Sequence, residues 1–281
     1  MSAFSLPYFH DLDERILTRL KVAVKLLRRF IAFVLLLLAG PLAAASVGGC
    51  SRLSGDWATA SRQSAGIAPD PALTREAVVQ VYGARAFRWR GAFAVHTWIA
   101  VKPEGALHFT TYEVTGWGVR RGGSAINIEE DLPDRYWFGA RPDLIADLRG
   151  PRAALAAEKI KAAVASYPYP DSYRTWPGPN SNTFVAHVLR QVPEIEADLP
   201  PNAIGKDFLP GGEVFAHTPS GAGGQVSLFG LAGVLVSAEE GLELNVLGLS
   251  FGVDPGELAL RLPGIGKLGL NTGNGTVRTH R

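Results

Sequence analysis

An uncharged stretch near the N-terminus constrains this chain more than any other feature of its sequence. It covers residues 30–47, FIAFVLLLLAGPLAAASV. Spanning a bilayer takes about 20 apolar residues, and a basic flank stays on the cytoplasmic side. We therefore predict a single-pass inner-membrane anchor at 30–47, with residues 1–29 in the cytoplasm and the rest of the chain in the periplasm. The basic flank contains Arg15, Arg19, Lys21, Lys25, Arg28 and Arg29.

Two other interpretations of this segment stay open. Residues 43–45 are all alanine, which suits the cleavage site of a secretory signal peptide. Residues 47–50, Val-Gly-Gly-Cys, resemble a lipoprotein processing box in which Cys50 carries the lipid. All three interpretations place the following domain outside the cytoplasm and make the inner membrane a predicted partner.

Composition excludes several classes of function. The net charge of +2 produces no domain-wide positive field, so nucleic acid is not a predicted partner. The single cysteine, Cys50, excludes an intrachain disulfide and any multi-thiolate metal site. The histidines show neither an i, i+4 pair nor an HExxH motif, so we predict no metal and no cofactor.

The remainder of the chain divides by composition. Residues 48–76 are rich in Ser, Ala, Gly and Pro and are predicted to be a linker. Residues 77–222 form the predicted main domain, and the glycine-punctuated residues 223–270 form a predicted β-rich unit. Within that unit the apolar alternation changes phase after Val246, which indicates a bulge or a break between strands. Residues 271–281 are predicted to be a disordered tail.

The main domain is predicted to be α+β, with an antiparallel sheet and two main helices. Residues 93–102 and 109–119 alternate as two strands of a hairpin. If the turn is centred between Glu104 and Gly105, the residue numbers of each facing pair add up to 209. This places His96 opposite Glu113 on one face of the sheet.

Both helices have clear starts. Residues 151–166 carry apolar residues at helical spacing after a proline at a permitted first position. The polar cluster at 180–183, Asn-Ser-Asn-Thr, begins a second helix near Ser181. Free N–H groups at such a start favour a nucleophilic oxygen or a bound anion.

Five segments of the domain carry a recognisable pattern: SAGIAPDP, VVQVYGARAFRWRGAFAVHTWIAVKP, YEVTGWGVRRGG, YPYPDSYRTWPGPNSNTFVAHV and LPPNAIGKDFLP. Together they resemble a family of mostly proteobacterial envelope proteins known as domain of unknown function 3750. The similarity covers most of residues 60–215 and implies no activity, because the family has none assigned.

A more distant resemblance concerns the circularly permuted papain-like proteins, which include cell-wall amidases and lecithin–retinol acyltransferase relatives. In that group a strand histidine comes first, a polar partner follows on the next strand, and a cysteine opens a later helix within a pattern like Asn-Cys-x-x-Phe-Val. Residues 180–185, Asn-Ser-Asn-Thr-Phe-Val, are similar to it. The resemblance implies a permuted papain-like fold with Ser181 as nucleophile, His96 as base and Glu113 as the group that orients the base. Serine in place of cysteine needs more help from its base.

Structural explanations of the same residues stay open. Asn180 and Ser181 could merely cap a helix, His96 could be a hydrogen-bonded strand histidine, and Glu113 could pair with a basic residue across the sheet. Four arginines suggest either a solvated basic face or contacts to an anionic ligand. They are Arg88, Arg90, Arg120 and Arg121.

The leading hypothesis is a degenerate papain-like domain that binds an envelope component, which could be a lipid, peptidoglycan or a protein. One alternative is a weak serine-dependent amidase or acyltransferase, and another is a structural or assembly factor of the cell envelope. A groove lined by polar and aromatic groups would hold the ligand. The predicted ligand-binding residues are Asn180, Asn182, Trp98 and Trp176.

Overall fold

A long helix, α1 (Pro7–Gly48), opens the part of the chain described by a computed structural model, which covers residues 7–48, 55–269 and 279–280. The chain divides into two compact units, of which the first ends at Gly40 and the second begins at Pro41. The predicted anchor at 30–47 lies within α1. Among the described residues, no helix combines the length and apolar character that crossing a membrane requires. The transmembrane part of the prediction is therefore not supported, and Cys50 lies outside the described residues.

The end of the predicted linker is part of the folded domain. The buried carboxylate of Asp134 accepts hydrogen bonds from the Ser64 hydroxyl at 2.8 Å and from the backbone N–H groups of Ile67 and Ala68 at 2.6 and 3.1 Å. Hydrogen bonds of this kind stabilise a buried charge. The linker predicted over 48–76 is thus too long, because its last residues pack on the domain.

The first sheet carries the main domain. Its described strands follow the order β13-β5-β1-β2-β3-β4, and all neighbours are antiparallel except β13 and β5, which are parallel. β13 falls within the predicted disordered tail, most of which lies outside the described residues. The strands are β1 (Val78–Arg85), β2 (Val95–Lys102), β3 (Thr110–Val114), β4 (Ile126–Glu130), β5 (Asp143–Arg149) and β13 (Thr279–His280).

The β2–β3 hairpin forms in a different register from the predicted one. Ile99 pairs with Tyr112 and Val101 pairs with Thr110, so facing residues sum to 211 rather than 209. Side chains alternate between the two faces with a period of two, so a shift of two residues keeps every side chain on its face. His96 and Glu113 therefore still share a face.

Three helices accompany this sheet. The short α2 (Gly116–Arg120) follows β3, whereas α3 (Gly150–Ala165) and α4 (Ser181–Gln191) are the two main helices. α3 lies within one residue of the predicted bounds of 151–166, and α4 begins at Ser181, near which its start was predicted. Their apolar stripes cover one face of the sheet and form the main core. The core includes Val79, Val81, Ile99, Val101, Ile160, Val164, Phe184, Val185 and Val188.

A second antiparallel sheet follows and starts at Phe215, before the predicted boundary at 223. The phase change after Val246 is a break between strands, as predicted. Leu247 and Gly248 both adopt positive φ there, as a tight two-residue turn requires. The strands are β6 (Phe215–His217), β7 (Gly223–Leu228), β8 (Ala232–Ser237), β9 (Gly241–Val246), β10 (Leu249–Asp254), β11 (Ala259–Leu262) and β12 (Gly266–Gly269).

The second sheet reverses the usual arrangement of a sheet, because polar side chains lie on its buried face and apolar side chains on its exposed face. Glu243 on β9 and Arg261 on β11 are buried, whereas Leu244 beside Glu243 is about half exposed. Glu243 accepts from Lys206 at 2.6 Å and also pairs with Arg261, which in turn binds the carboxylate of Asp198 at 2.6 and 2.7 Å. The inner face is thus joined to the main domain by buried ion pairs.

Candidate functional site

His96 and Glu113 form the centre of the site. His96 is on β2 and Glu113 on β3, and His96 Nε2 lies 2.8 Å from Glu113 Oε2. The other carboxylate oxygen accepts from Nη2 of Arg135 at 2.9 Å. All three residues are buried. Arg135 comes from the connection between β4 and β5, where no periodic pattern marks it in the sequence.

The protonation states of this cluster follow from its contacts. Burial alone would raise the pKa of Glu113, but the hydrogen bonds from His96 and Arg135 and the charge of Arg135 outweigh it and hold that pKa below its ordinary value. Burial lowers the pKa of His96 despite the carboxylate beside it. At neutral pH Glu113 is therefore ionised and His96 neutral. An ionised carboxylate only accepts hydrogen bonds, so His96 carries its proton on Nε2 and leaves a lone pair on Nδ1.

Aromatic rings fix the plane of the imidazole. The His96 ring stacks on Trp137 with 3.6 Å between centroids and 8° between planes. Trp117 of α2 stacks on the same indole at 5.9 Å. The edge of Phe138 packs against Trp137 at 4.9 Å. The histidine is thus one layer of an aromatic stack, which restricts rotation of its ring.

Asn180 is the N-cap of α4. Its Oδ1 accepts from the backbone N–H groups of Asn182 and Thr183 at 3.0 and 3.2 Å. Its Nδ2 donates to the carbonyls of Thr175 and Ile204 at 3.1 and 3.0 Å. The capping explanation therefore holds for Asn180, and its amide has no group left to bind the predicted ligand.

Asn182 joins the start of α4 to the strand that carries His96. Its Nδ2 donates to the carbonyls of Val95 and Ile204 at 3.0 and 2.8 Å, and its Oδ1 accepts from the Thr97 hydroxyl at 2.9 Å. Val95 and Thr97 flank His96 in the chain. The structure therefore places the helix start beside the imidazole, and Asn182 acts as a tether rather than as a group free to bind a ligand.

Ser181 lies at the first position of α4, between these two asparagines. The residue is buried, and its hydroxyl and N–H form no hydrogen bond with any other residue that the structure describes. Ser181 and His96 line the same cavity of about 680 Å³. Of the first three N–H groups of the helix, those of Asn182 and Thr183 are used by the cap, so only that of Ser181 is available to a bound group.

Tyr173 also lines this cavity and was missed by the sequence analysis. Its ring packs on Gly116 so closely that a Cβ there would lie 2.8 Å from Tyr173 Cδ1. Burial raises the pKa of the Tyr173 hydroxyl, while Arg90 and Arg120 oppose the rise. The hydroxyl is protonated at neutral pH and makes no hydrogen bond within the described part of the chain. The signal in the sequence that could have identified Tyr173 as a site residue is its position in a Tyr- and Pro-rich segment just before Asn180.

The cavity is basic. Among the described residues, five arginines and no aspartate or glutamate line it, since Glu113 lies behind His96. Four of these arginines were expected from the sequence, whereas Arg62 was not. The five are Arg62, Arg88, Arg90, Arg120 and Arg121.

The two tryptophans predicted to bind a ligand lie elsewhere. Trp98 is fully buried, donates its indole N–H to the Pro133 carbonyl at 2.7 Å and does not line the cavity. It lies on the same face of β2 as His96, and Trp137 covers that face there. Trp176 is half exposed and donates to the Leu247 carbonyl at 2.9 Å, also outside the cavity lining.

Comparison with protein families gives one result for this chain. Residues 76–208 match the model of a family described as protein of unknown function (DUF3750). This segment contains β1 to β5, α2 to α4 and the His96, Glu113 and Ser181 positions. The family resemblance seen in the sequence is confirmed over this segment. No curated protein and no solved structure matches the chain.

Proposed function

We propose that this domain, whose family has no assigned activity, is a serine-dependent hydrolase or transferase of acyl groups. Ser181 is the nucleophile, His96 the general base and Glu113 the residue that orients the base. One observation carries the proposal. Ser181 and His96 line one cavity, and the carboxylate on Nε2 of His96 leaves Nδ1 as the basic nitrogen.

The chemistry follows from these positions. His96 Nδ1 takes the proton of Ser181 Oγ as that oxygen bonds to the carbonyl carbon of an ester or amide. Negative charge moves to the carbonyl oxygen, where the Ser181 N–H and the Tyr173 hydroxyl are the available donors. The imidazolium is stabilised by Glu113. It returns the proton to the leaving alcohol or amine, and water or another acceptor then removes the acyl group from Ser181 by the same route.

A turnover assay tests the proposal. Purified protein is incubated with nitrophenyl hexanoate, and release of nitrophenol is followed. Ser181→Ala and His96→Gln are expected to lose turnover, whereas Ser172→Ala, which changes a serine outside the cavity lining, is expected to retain it. Equal turnover in the wild type and Ser181→Ala would contradict the proposal.

A second candidate is binding of an envelope component without turnover. The size of the cavity and its basic and aromatic walls favour it, since small-molecule sites typically occupy about 300–1,000 Å³. Under this alternative Ser181→Ala retains a ligand as well as the wild type, and no ester is hydrolysed. Retained binding with no hydrolysis in the assay above would favour this candidate.

The domain is proposed to act outside the cytoplasm, as an anchored or exported envelope protein. Support comes from the order of the N-terminal sequence, in which a basic flank precedes the uncharged residues 30–47. Alkaline phosphatase fused after Arg281 tests this, because the enzyme is active only after export. We expect activity in the full-length fusion and none in a fusion lacking residues 30–47. Equal activity in the two fusions would refute the location.

A further inference from the structure

We infer that the acyl compound taken by this cavity carries a negatively charged group, a carboxylate or a phosphate, which the cavity arginines bind. The inference deepens the proposed function by naming the substrate class of the same site. The arginine cluster stands on its own geometry, so binding of an anion can be tested apart from turnover.

The charge of the cavity is the first observation. The described residues that line the cavity include five arginines and no carboxylate, although the whole chain is almost balanced at +2. Within the described part of the chain none of the five forms an ion pair. Three arginines elsewhere in the domain do: Arg149 pairs with Asp147, Arg152 with Glu196 and Arg261 with Asp198. The cavity arginines have no carboxylate partner of this kind and share one space, so their charges are available to a ligand there.

Two of these arginines are held in place by the protein. Arg88 adopts a left-handed φ of 59°, uncommon for a residue other than glycine, and its Nε donates to the Gly55 carbonyl at 3.0 Å. Arg62 donates to the Trp57 carbonyl at 3.2 Å and stacks over Phe138 at 4.5 Å. Each guanidinium keeps other N–H groups for a ligand. Pre-organised guanidinium groups bind carboxylates and phosphates through paired hydrogen bonds.

The remaining arginines surround the same space. Arg120 is the last residue of α2 and Arg121 is its C-cap, and Trp117 of the same helix belongs to the aromatic stack on His96. Arg88 and Arg90 belong to the same short 3-10 turn. The charges of Arg90 and Arg120 both oppose the rise in the pKa of the Tyr173 hydroxyl. The cavity thus combines positive charge with the aromatic faces that an apolar part of the ligand would contact, and the Ser181 position lines the same space.

The test uses nitrophenyl esters that differ in the charge at the end of a similar acyl chain. The four probes are nitrophenyl hexanoate, mono-nitrophenyl adipate, nitrophenyl 6-phosphonohexanoate and nitrophenyl 6-trimethylammoniohexanoate. We expect kcat/KM for the better anionic ester to exceed that for hexanoate roughly tenfold or more, because hydrogen bonds to charged groups are the strong ones. The cationic ester should be the poorest. The ranking of adipate and phosphonate identifies a carboxylate or a phosphate as the natural group.

Two double variants, Arg120→Gln with Arg121→Gln and Arg88→Gln with Arg90→Gln, should each reduce the anionic-to-neutral ratio of kcat/KM. The matched control is Arg75→Gln, an exposed arginine outside the cavity lining, which should keep the ratio. Thermal unfolding of each variant shows whether it is folded. An unchanged ratio in folded double variants, or equal rates for all four esters, would overturn the inference while leaving the proposed function in place.

Binding without turnover separates the two proposals. The probe is the mono-anilide of adipic acid, an amide analogue of the anionic ester, and calorimetry measures its binding to the Ser181→Ala protein. Hexananilide is the neutral comparison. Tighter binding of the anionic amide than of the neutral one, lost in the arginine double variants, would support the inference even if no ester is hydrolysed. The absence of ester hydrolysis would refute only the acyl-transfer proposal. Equal binding or no binding of the two amides would overturn the inference.

Discussion

At the scale of single residues, Glu113 lies between the proposed base, His96, and the buried positive charge of Arg135. It orients His96 through one oxygen and neutralises Arg135 through the other. Glu113→Gln removes the charge that stabilises the imidazolium and presents an amide to Nε2, which favours the wrong tautomer. If Ser181 is the nucleophile, we expect kcat to fall by on the order of 10⁴, as for other triads that lose their carboxylate. Steady-state kinetics on nitrophenyl hexanoate measures it.

The same substitution should also weaken the fold. It leaves Arg135 buried without its strongest partner, which typically costs about 3–5 kcal/mol. Urea unfolding at neutral pH measures this loss separately from kcat. A Glu113→Gln protein with wild-type kcat would refute the role given to Glu113, whatever its stability.

The lowered pKa of His96 determines the pH dependence of turnover. The neutral ring is the base, so activity is lost when falling pH protonates it. Because burial holds the pKa of His96 below its ordinary value of 6.5, kcat/KM should reach its plateau by about pH 7 and pass half of it below pH 6.5. A pH–rate profile from pH 4 to 9 tests this on ester turnover. A midpoint above pH 6.5 would contradict the assignment of His96 as base.

At the scale of elements, two adjacent residues of β9 should differ strongly in how much their substitution lowers the free energy of unfolding. Glu243→Gln breaks buried pairs with Lys206 and Arg261 and should cost about 3–5 kcal/mol of unfolding free energy. Leu244→Thr changes a half-exposed residue and should cost less than about 1 kcal/mol. Chemical denaturation of both variants measures the difference. Comparable losses in the two would show that the polar face of this sheet is not its structural side.

These elements also show what the sequence could predict. Helix periodicity and the polar start at Asn180 located α3 and α4, because both signals are local. Alternation assigned His96 and Glu113 to one face, although the turn was misplaced by the equivalent of one residue. Arg135 was missed because it comes from an irregular connection. The inverted polarity of the second sheet was missed as well, because alternation alone does not say which face is inside.

At the scale of the whole molecule, the family segment and the second sheet form one folded structure. Residues 76–208 end just after Lys206 and Asp207, which are buried against β9. A chain ending at residue 208 would leave Lys206 without Glu243, Asp207 without the amide of Asn245, and both side chains without the cover of the sheet. We expect it to lose cooperative unfolding, which near-ultraviolet circular dichroism during heating detects. A sharp transition like that of the full chain would show that the segment is independent.

The most direct test of the central claim is covalent labelling of the serine. A fluorophosphonate reacts with a serine hydroxyl that a neighbouring base activates, and mass spectrometry of the digested protein locates the adduct. We expect one labelled peptide, carrying the adduct on Ser181, with labelling strongly reduced in His96→Gln. Absence of an adduct on Ser181 in the folded protein, or equal labelling of Ser181 in His96→Gln, would contradict it.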